Sequence, residues 1–332
     1  MKQIRSYLPW IVSIGFLLLL PLAFPSPFII NNIIEILIGA LFAISLNLLV
    51  GYTGLLSLGH NAFLGLGSYT MAILLRQASF GIPATLLGMF LVSGLFALVM
   101  GYLSTRLTKF YFAFLTLALS QIVYIAIVRW TSVTGGLQGL KGGIPMPPIH
   151  LFAWSMDIAN SRLHFYYFTV ILVFASFILC KAVVDSPFGW VLRSIRENTL
   201  RAQFIGINVR RFQVAVFVIS GMFGALSGAL TALNINGSYP EQAEWIRGAD
   251  PIFMILIGGM NNFFGPLLGS VVMVFLNTIL TTYTRFAPFF LGVILLLLVT
   301  VIRMGIIDFL VLKKGVLRKA VNSWKTTGLL SK

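Results

Sequence analysis

Charge is scarce in this chain: 9% of its 332 residues are Asp, Glu, Lys or Arg, with 8 acidic against 23 basic. Cysteine is nearly absent, with Cys180 alone, and histidine is limited to His60, His150 and His164, far apart in sequence. A lone cysteine excludes a disulfide framework, and the scattered histidines offer no metal-ligand cluster. Cys180 sits within an apolar run and reads as a small core residue. No G-x-x-x-x-G-K-[ST] phosphate loop occurs, and nothing resembles a Ser-His-Asp or paired-carboxylate site. The chain therefore reads as a non-enzyme with no cofactor and no metal. A formal net charge of +15 would suit nucleic acid only if the basic residues converged on one face, whereas here they mark the ends of apolar runs.

Apolar surface is what the chain has in excess, at 58% hydrophobic residues and a mean hydropathy of +0.97. A soluble core of this size cannot hide that much, so the bilayer is the expected solvent. Runs of roughly 17 to 25 apolar residues follow one another, each able to cross about 30 Å of hydrocarbon at about 1.5 Å per residue. With no water to satisfy the backbone there, they must be helices. The expected fold is all-α, a polytopic transmembrane helical bundle with broken or re-entrant helices and about 9 to 10 hydrophobic elements. Expected spans are 8–24, 28–50, 53–75, 82–104, 110–128, 165–184, 213–234, a long segment 251–284, and 286–302. The first follows Lys2 and Arg5 and ends in Pro21-Leu22-Ala23-Phe24-Pro25, which lacks an A-x-A-like cleavage site and so reads as a retained helix.

With the N-terminus in the cytoplasm, the segments before 8, 105–109, 181–212 and after 302 carry 17 of the 23 Lys and Arg, a clear positive-inside bias. For the C-terminus to lie inside as well, 251–284 must enter and leave on one side. Its Gly258-Gly259 and Gly265-Pro266 steps suit a short half-helix followed by a full one. The whole of 1–332 reads as a single transmembrane domain, containing an inner loop 185–212 and a basic tail 303–332 suited to an anionic inner leaflet. The outer loop 129–164 and that inner loop are too short for independent catalytic cores.

Three stretches interrupt the apolar monotony. The first runs from Gly51 to Tyr69, where glycines permit close helix approach or unwound backbone. Ser57, Gly59, His60, Asn61, Gly65 and Gly67 are candidates for a solute path, with helix packing and a structural hydrogen bond as the alternatives. The second, 186–208, starts well at Ser186-Pro187 and stops at Gly206, predicting an amphipathic helix. Val191, Leu192, Ile195, Thr199 and Ala202 fall on one side and Arg193, Arg196, Glu197 and Arg201 on the other, with Trp190 and Leu200 as exceptions. Glu197 and Arg201 are spaced as an i,i+4 pair. Such a helix either lies on lipid headgroups or docks against a partner. The third, 255–269, holds Gly258 and Gly259 as further path candidates, with Asp250 before Pro251 as an expected cap.

Glu35 is the only carboxylate within an expected span and a functional candidate for that reason. Glu241, Glu244, Arg247 and Asp250 read as a solvated rim or a docking edge, and Asn236-Gly237-Ser238 as an ordinary turn.

Ser57-Leu58-Gly59-His60, followed by Ala62-Phe63 and the Gly65-x-Gly67-x-Tyr69 pattern, resembles the signature of branched-chain amino acid permeases, with Asn61 where the family usually has a small residue. Segments 134–140, 187–209 and 255–269 are similar to family segments too. The resemblance implies a permease subunit of a bacterial ATP-binding cassette importer in the inner membrane. It would form the path for leucine, isoleucine and valine or a related small polar solute. Implied partners are a second, usually non-identical permease subunit, two cytoplasmic ATPase subunits, an extracytoplasmic solute-binding protein and membrane lipid, with no nucleic acid. In that setting Arg193, Arg196, Glu197, Arg201, Ala202 and Gly206 are the implied ATPase-coupling residues. The rival class, an ATP-independent secondary transporter or channel, needs intramembrane titratable groups, and only Glu35 and His60 are on offer.

Overall fold

The computed structural model describes residues 15, 17–21, 26–78, 80–108, 110–141, 143–151, 154–156, 161–301 and 305–308. Most of the expected span 8–24, and the tail 303–332 apart from 305–308, lie outside the described residues. The α-helices of six residues or more are α1 (Pro27–Thr53), α2 (Asn61–Gln77), α3 (Ile82–Ser104), α4 (Phe110–Arg129), α5 (Arg162–Asp185), α6 (Pro187–Glu197), α7 (Thr199–Phe204), α8 (Val209–Ile235), α9 (Ala249–Gly258), α10 (Gly265–Tyr283) and α11 (Ala287–Val301). Six of them, α1, α3, α4, α5, α8 and α10, are long and apolar enough to cross a membrane. The chain is an all-α polytopic bundle. Its one departure among the described residues is a short antiparallel hairpin, β1 (Ile149–Leu151) with β2 (Trp154–Met156), between α4 and α5.

α1 is the axis of the bundle. Within its most apolar window 72% of residues are buried, against 28% for the equally apolar α3. It packs on α5, α8, α9 and α10, while α8 fills the remaining core against α2 and α3. Small residues allow this closeness: Gly221, Gly224 and Gly228 of α8 each meet atoms of 60–64. Hydroxyls knit the two central helices, with Ser220 donating to the Ser45 carbonyl at 2.5 Å and Ser227 to the Ile38 carbonyl at 3.0 Å. On the periphery, Leu87, Leu91, Leu95 and Leu98 of α3 recur at i,i+4 and i,i+3 spacing and are all exposed, a stripe suited to acyl chains.

Two crossings are broken. The expected span 53–75 does not begin as helix: α1 stops at Gly54 (φ 75°), with the Leu55 amide closing back on the Leu49 carbonyl at 3.0 Å, and 54–60 is non-helical. Helix resumes only at Asn61, level with the middle of α1, since His60 touches Ser45. The segment 251–284 breaks where glycines suggested. α9 ends at Gly259 (φ 113°), α10 begins at Gly265, and the two return past each other as an antiparallel pair. Asp250 does not cap α9. The helix starts one residue earlier, and the carboxylate pairs with Arg247 at 3.6 Å instead.

The expected single helix over 187–206 is two helices. Asn198 leaves helical geometry (φ −158°, ψ 103°) and its Oδ1 accepts the Arg201 amide at 2.9 Å, so it caps α7 while ending α6. That break places Glu197 and Arg201 on different helices, and no ion pair joins them among the described residues. The helix start matches its sequence signal, with the Ser186 hydroxyl accepting the Gly189 amide, and Gly206 sits at φ 87° beyond α7.

Candidate functional site

The start of α2 and the segment 236–248 meet inside the bundle. From the α6 end of the bundle the chain rises through 54–60, anchored where the Leu58 amide donates to Thr116 Oγ1 at 3.2 Å. Gly59 lies so close to α4 that a Cβ would sit 1.9 Å from the Thr116 carbonyl oxygen, a contact only glycine permits. His60 is fully buried, stacked on Phe42 at 5.3 Å between ring centroids and edge-on to Phe63. Ser45 spends its proton on the Phe42 carbonyl at 2.7 Å, so it accepts from His60 Nε2–H at 2.8 Å, leaving Nδ1 as an unpartnered acceptor. From the opposite, hairpin end, 236–248 dips into the bundle through two 3₁₀ turns, Pro240–Ala243 and Trp245–Gly248. Asn61 Nδ2 donates to the Ala243 carbonyl at 2.6 Å, tying the start of α2 to that descending segment.

Most of the remaining candidates from the polar stretches sit in close contacts. Gly65 abuts Ala243, Gly67 the Ala225 backbone, and Gly258 the Gly265 carbonyl. Gly259 faces Asp308, and Ser57 is buried with its hydroxyl unpartnered.

A cavity of about 430 Å³ opens at the hairpin end, bounded by α1, α8, α9, α10 and the descending segment. None of Ser57, Gly59, His60, Asn61, Gly65, Gly67, Gly258 or Gly259 lines it. Its apolar wall includes Ile38, Phe42, Leu64, Met254, Met273 and Leu291, and its polar wall Ser227, Thr231, Asn234, Tyr239, Gln242 and Asn277. Four charged residues share it: Glu35, Glu241, Arg247 and Asp250. Beside it, Arg162 fastens α5 to the core, donating from Nε to Asn31 Oδ1 at 2.6 Å and from Nη2 to Asn234 Oδ1 at 2.5 Å. Glu35 was legible as the lone carboxylate of its span. Thr231, Asn234 and Asn277 were not singled out, although polar residues inside apolar runs are the signal that could have found them.

A second polar network lies at the α6 end. Arg196 donates to the Gly51 carbonyl near the end of α1, and through Nη2 to Asn261 Oδ1 at 2.9 Å in the break between α9 and α10. Asn261 in turn donates its amide and Nδ2 to Asp308 Oδ2, at 3.3 and 3.1 Å. Arg193 lies over the Tyr52 ring at 5.4 Å and the Trp190 ring at 5.0 Å. Both arginines therefore engage the membrane helices, where the last carbonyls of α1 need donors. Leu192, Ile195 and Ala202 are buried as their pattern predicts, whereas Thr199 is exposed. The exposed apolar surface of α6 and α7 is made by Trp190, Leu200, Phe204 and Ile205, of which two stood out in sequence only as exceptions.

Comparison with known proteins places these features in context. Residues 28–302 match the family model described as branched-chain amino acid transport system / permease component. The chain is 25% identical over 303 residues to the high-affinity branched-chain amino acid transport system permease protein LivM of Escherichia coli, covering 84% of this chain and 71% of that one. It is 26% identical over 239 residues to a probable branched-chain amino acid transport permease protein of Methanocaldococcus jannaschii, covering 70% and 62%. The ribose import permease protein RbsC of Haemophilus influenzae is 23% identical over 299 residues, covering 83% and 84%. The matched region thus spans roughly two thirds of the branched-chain amino acid relatives. No solved structure matches the chain.

Proposed function

The chain belongs to the branched-chain amino acid transport system / permease component family, and from that premise we propose that it is the membrane-spanning subunit of an ATP-driven importer. It forms the path for branched-chain amino acids or a related small polar solute. It is a multi-pass membrane protein, and its relatives are transport permeases. A separate cytoplasmic ATPase supplies the energy, a second permease subunit completes the pore, and an extracytoplasmic binding protein delivers the solute. The positive-inside bias supports a bacterial inner-membrane orientation with both termini in the cytoplasm and α6 facing the ATPase.

The observation that carries this reading is the connection made by Arg196. A short helical pair presents Trp190, Leu200, Phe204 and Ile205 outward, and its inward side is hydrogen-bonded both to α1 and to the break between α9 and α10. Displacement of α6 by a docked partner is thereby delivered to α1 and to the junction of α9 and α10, three of the helices that bound the cavity. Such a partner can drive the change only by favouring one arrangement differentially. The cavity and the α6 surface lie at opposite ends, as an importer with external delivery and internal energy input requires.

The test is co-purification from cells expressing the neighbouring transport subunits. The chain is expected to retain an ATPase, and the double variant Trp190→Ser, Phe204→Ser is expected to lose most of it while still inserting in the membrane. Solute uptake into liposomes by this chain alone, without ATP, would refute the proposal.

A further inference from the structure

The exposed stripe of α3 does not stop at Leu98. The same helical step leads to Tyr102 and then to Arg106 just past the helix end, and both are exposed. From Leu91 to Tyr102 the helix rises about 16 Å at about 1.5 Å per residue, close to the roughly 15 Å depth of one hydrocarbon leaflet.

Where the stripe ends, two guanidinium groups close on one ring. Arg106 lies 4.8 Å from the Tyr102 ring centroid, and Arg210, at the start of α8, lies 4.2 Å from it. The two charges are therefore at most about 9 Å apart, roughly a Debye length at physiological salt, and repel each other. Tyr102 holds both in place: Arg106 Nη2 donates to its hydroxyl at 2.9 Å and Arg210 Nη2 to its carbonyl at 3.0 Å. Neither arginine meets a carboxylate among the described residues, whose ion pairs are Lys181 with Asp185 and Arg247 with Asp250. Nη1 of both arginines and the Tyr102 hydroxyl proton likewise have no acceptor among the described residues. The cluster is a set of oriented donors and positive charge lacking only an anion.

We propose that this end of α3 and α8 binds one anionic phospholipid, its phosphate on Arg106, Arg210 and Tyr102 and an acyl chain along Leu98, Leu95 and Leu91. The occupant must suit both halves of the surface. Free phosphate or an acidic peptide satisfies the guanidiniums and leaves the leucines uncovered. A zwitterionic lipid covers the leucines but brings a cation of its own to the arginines. Only a lipid with net negative charge matches both. The inference needs the membrane-spanning fold alone and goes beyond the permease reading without depending on it. Arg211 supplies an internal control, since it is exposed one residue further along α8 and makes no such contact with Tyr102.

The test uses the full chain with its co-expressed partner subunits in detergent, titrated with phosphatidylglycerol or phosphatidylcholine and read by native mass spectrometry. A photoreactive phosphatidylglycerol then locates the site. Phosphatidylglycerol is expected to bind roughly tenfold more tightly than phosphatidylcholine, with label on peptides covering 91–111 and 207–214. Arg106→Gln and Arg210→Gln should each weaken phosphatidylglycerol about fivefold, and Arg106→Lys should restore most of the loss. Arg210→Gln also frees the Tyr102 carbonyl, so if that complex falls apart the exposed Arg106 variants decide. Arg211→Gln should bind like the parent. Glycerol 3-phosphate, which has the phosphate and no chains, should not compete even at about a hundredfold excess. Equal binding of the two lipids, label confined to other peptides, or competition by glycerol 3-phosphate would overturn the proposal. A loss in Arg211→Gln as large as in Arg106→Gln would also overturn it, reducing the effect to general surface charge. So would label that appears on the chain alone and vanishes in the complex, since a protein partner would then cover the site. None of these results bears on the permease reading, which absence of a co-purifying ATPase strikes separately.

Discussion

Replacing Arg196 with Gln removes the one side chain that joins α6 to both α1 and the break at 259–264. A hydrogen bond from a charged donor is worth about 1.5–3 kcal/mol when sheltered. Arg196 is exposed, which reduces each of its two oxygen contacts to under about 1 kcal/mol. The pair then amounts to about 1–1.5 kcal/mol, or roughly a tenfold change in the balance between joined and separated states. The assay is ATPase stimulation by solute-loaded binding protein in the reconstituted complex. Stimulation is expected to fall roughly tenfold in Arg196→Gln, with basal ATPase activity and subunit assembly retained. A double-mutant cycle with Asn261→Ala isolates the shared bond, and a coupling energy of about 0.5–1 kcal/mol is expected because the two side chains touch. Wild-type stimulation in Arg196→Gln, or strict additivity in the cycle, would refute the idea that this contact transmits movement.

Gly59→Ala places a methyl group 1.9 Å from the Thr116 carbonyl oxygen, a backbone atom held by α4, and should cost about 2 kcal/mol or more; an unchanged melting temperature in detergent would contradict the close approach. His60→Ala empties a fully buried ring site and frees Ser45, a loss of about 2–4 kcal/mol. Solute competition in the surviving complex should nevertheless match the parent, and a changed competition order would instead put His60 on the path. Arg162→Met releases α5 from Asn31 and Asn234 at the hairpin end, costing about 1–2 kcal/mol. Faster hydrogen exchange confined to the first turns of α5 is the expected readout, and unchanged exchange there would show that the guanidinium holds nothing.

Spans were legible because crossing a bilayer is a property of one segment at a time. The expected span 82–104 coincides with α3, and 110–128 differs from α4 by one residue. Glycine and proline marked the break at 258–265 for a similarly local reason, as only they tolerate or enforce the backbone required there. Asn198 escaped notice because a mid-segment Asn is compatible with a helix until its side chain finds an amide to cap. The glycines of 51–69 left unwound backbone open as an alternative, but the start of α2 was not legible because 54–60 unwinds through contacts with α4 that lie more than fifty residues away in sequence.

The amino-acid sequence by itself determined that the chain lives in a bilayer, roughly where its apolar helices lie, which segments gather positive charge, and that its glycine-rich stretches belong to a transport family. Those follow from length, hydropathy and local backbone preference. Only the tertiary structure decided that α1 is the buried axis and α3 a lipid-facing neighbour, although their most apolar stretches are similarly hydrophobic. It likewise placed His60 in a packed aromatic cluster, turned Arg196 toward the membrane helices, and gathered Glu35, Glu241, Arg247 and Asp250 around one cavity. Charge and hydropathy belong to single residues, whereas burial, pairing and cavities arise between segments distant in the chain.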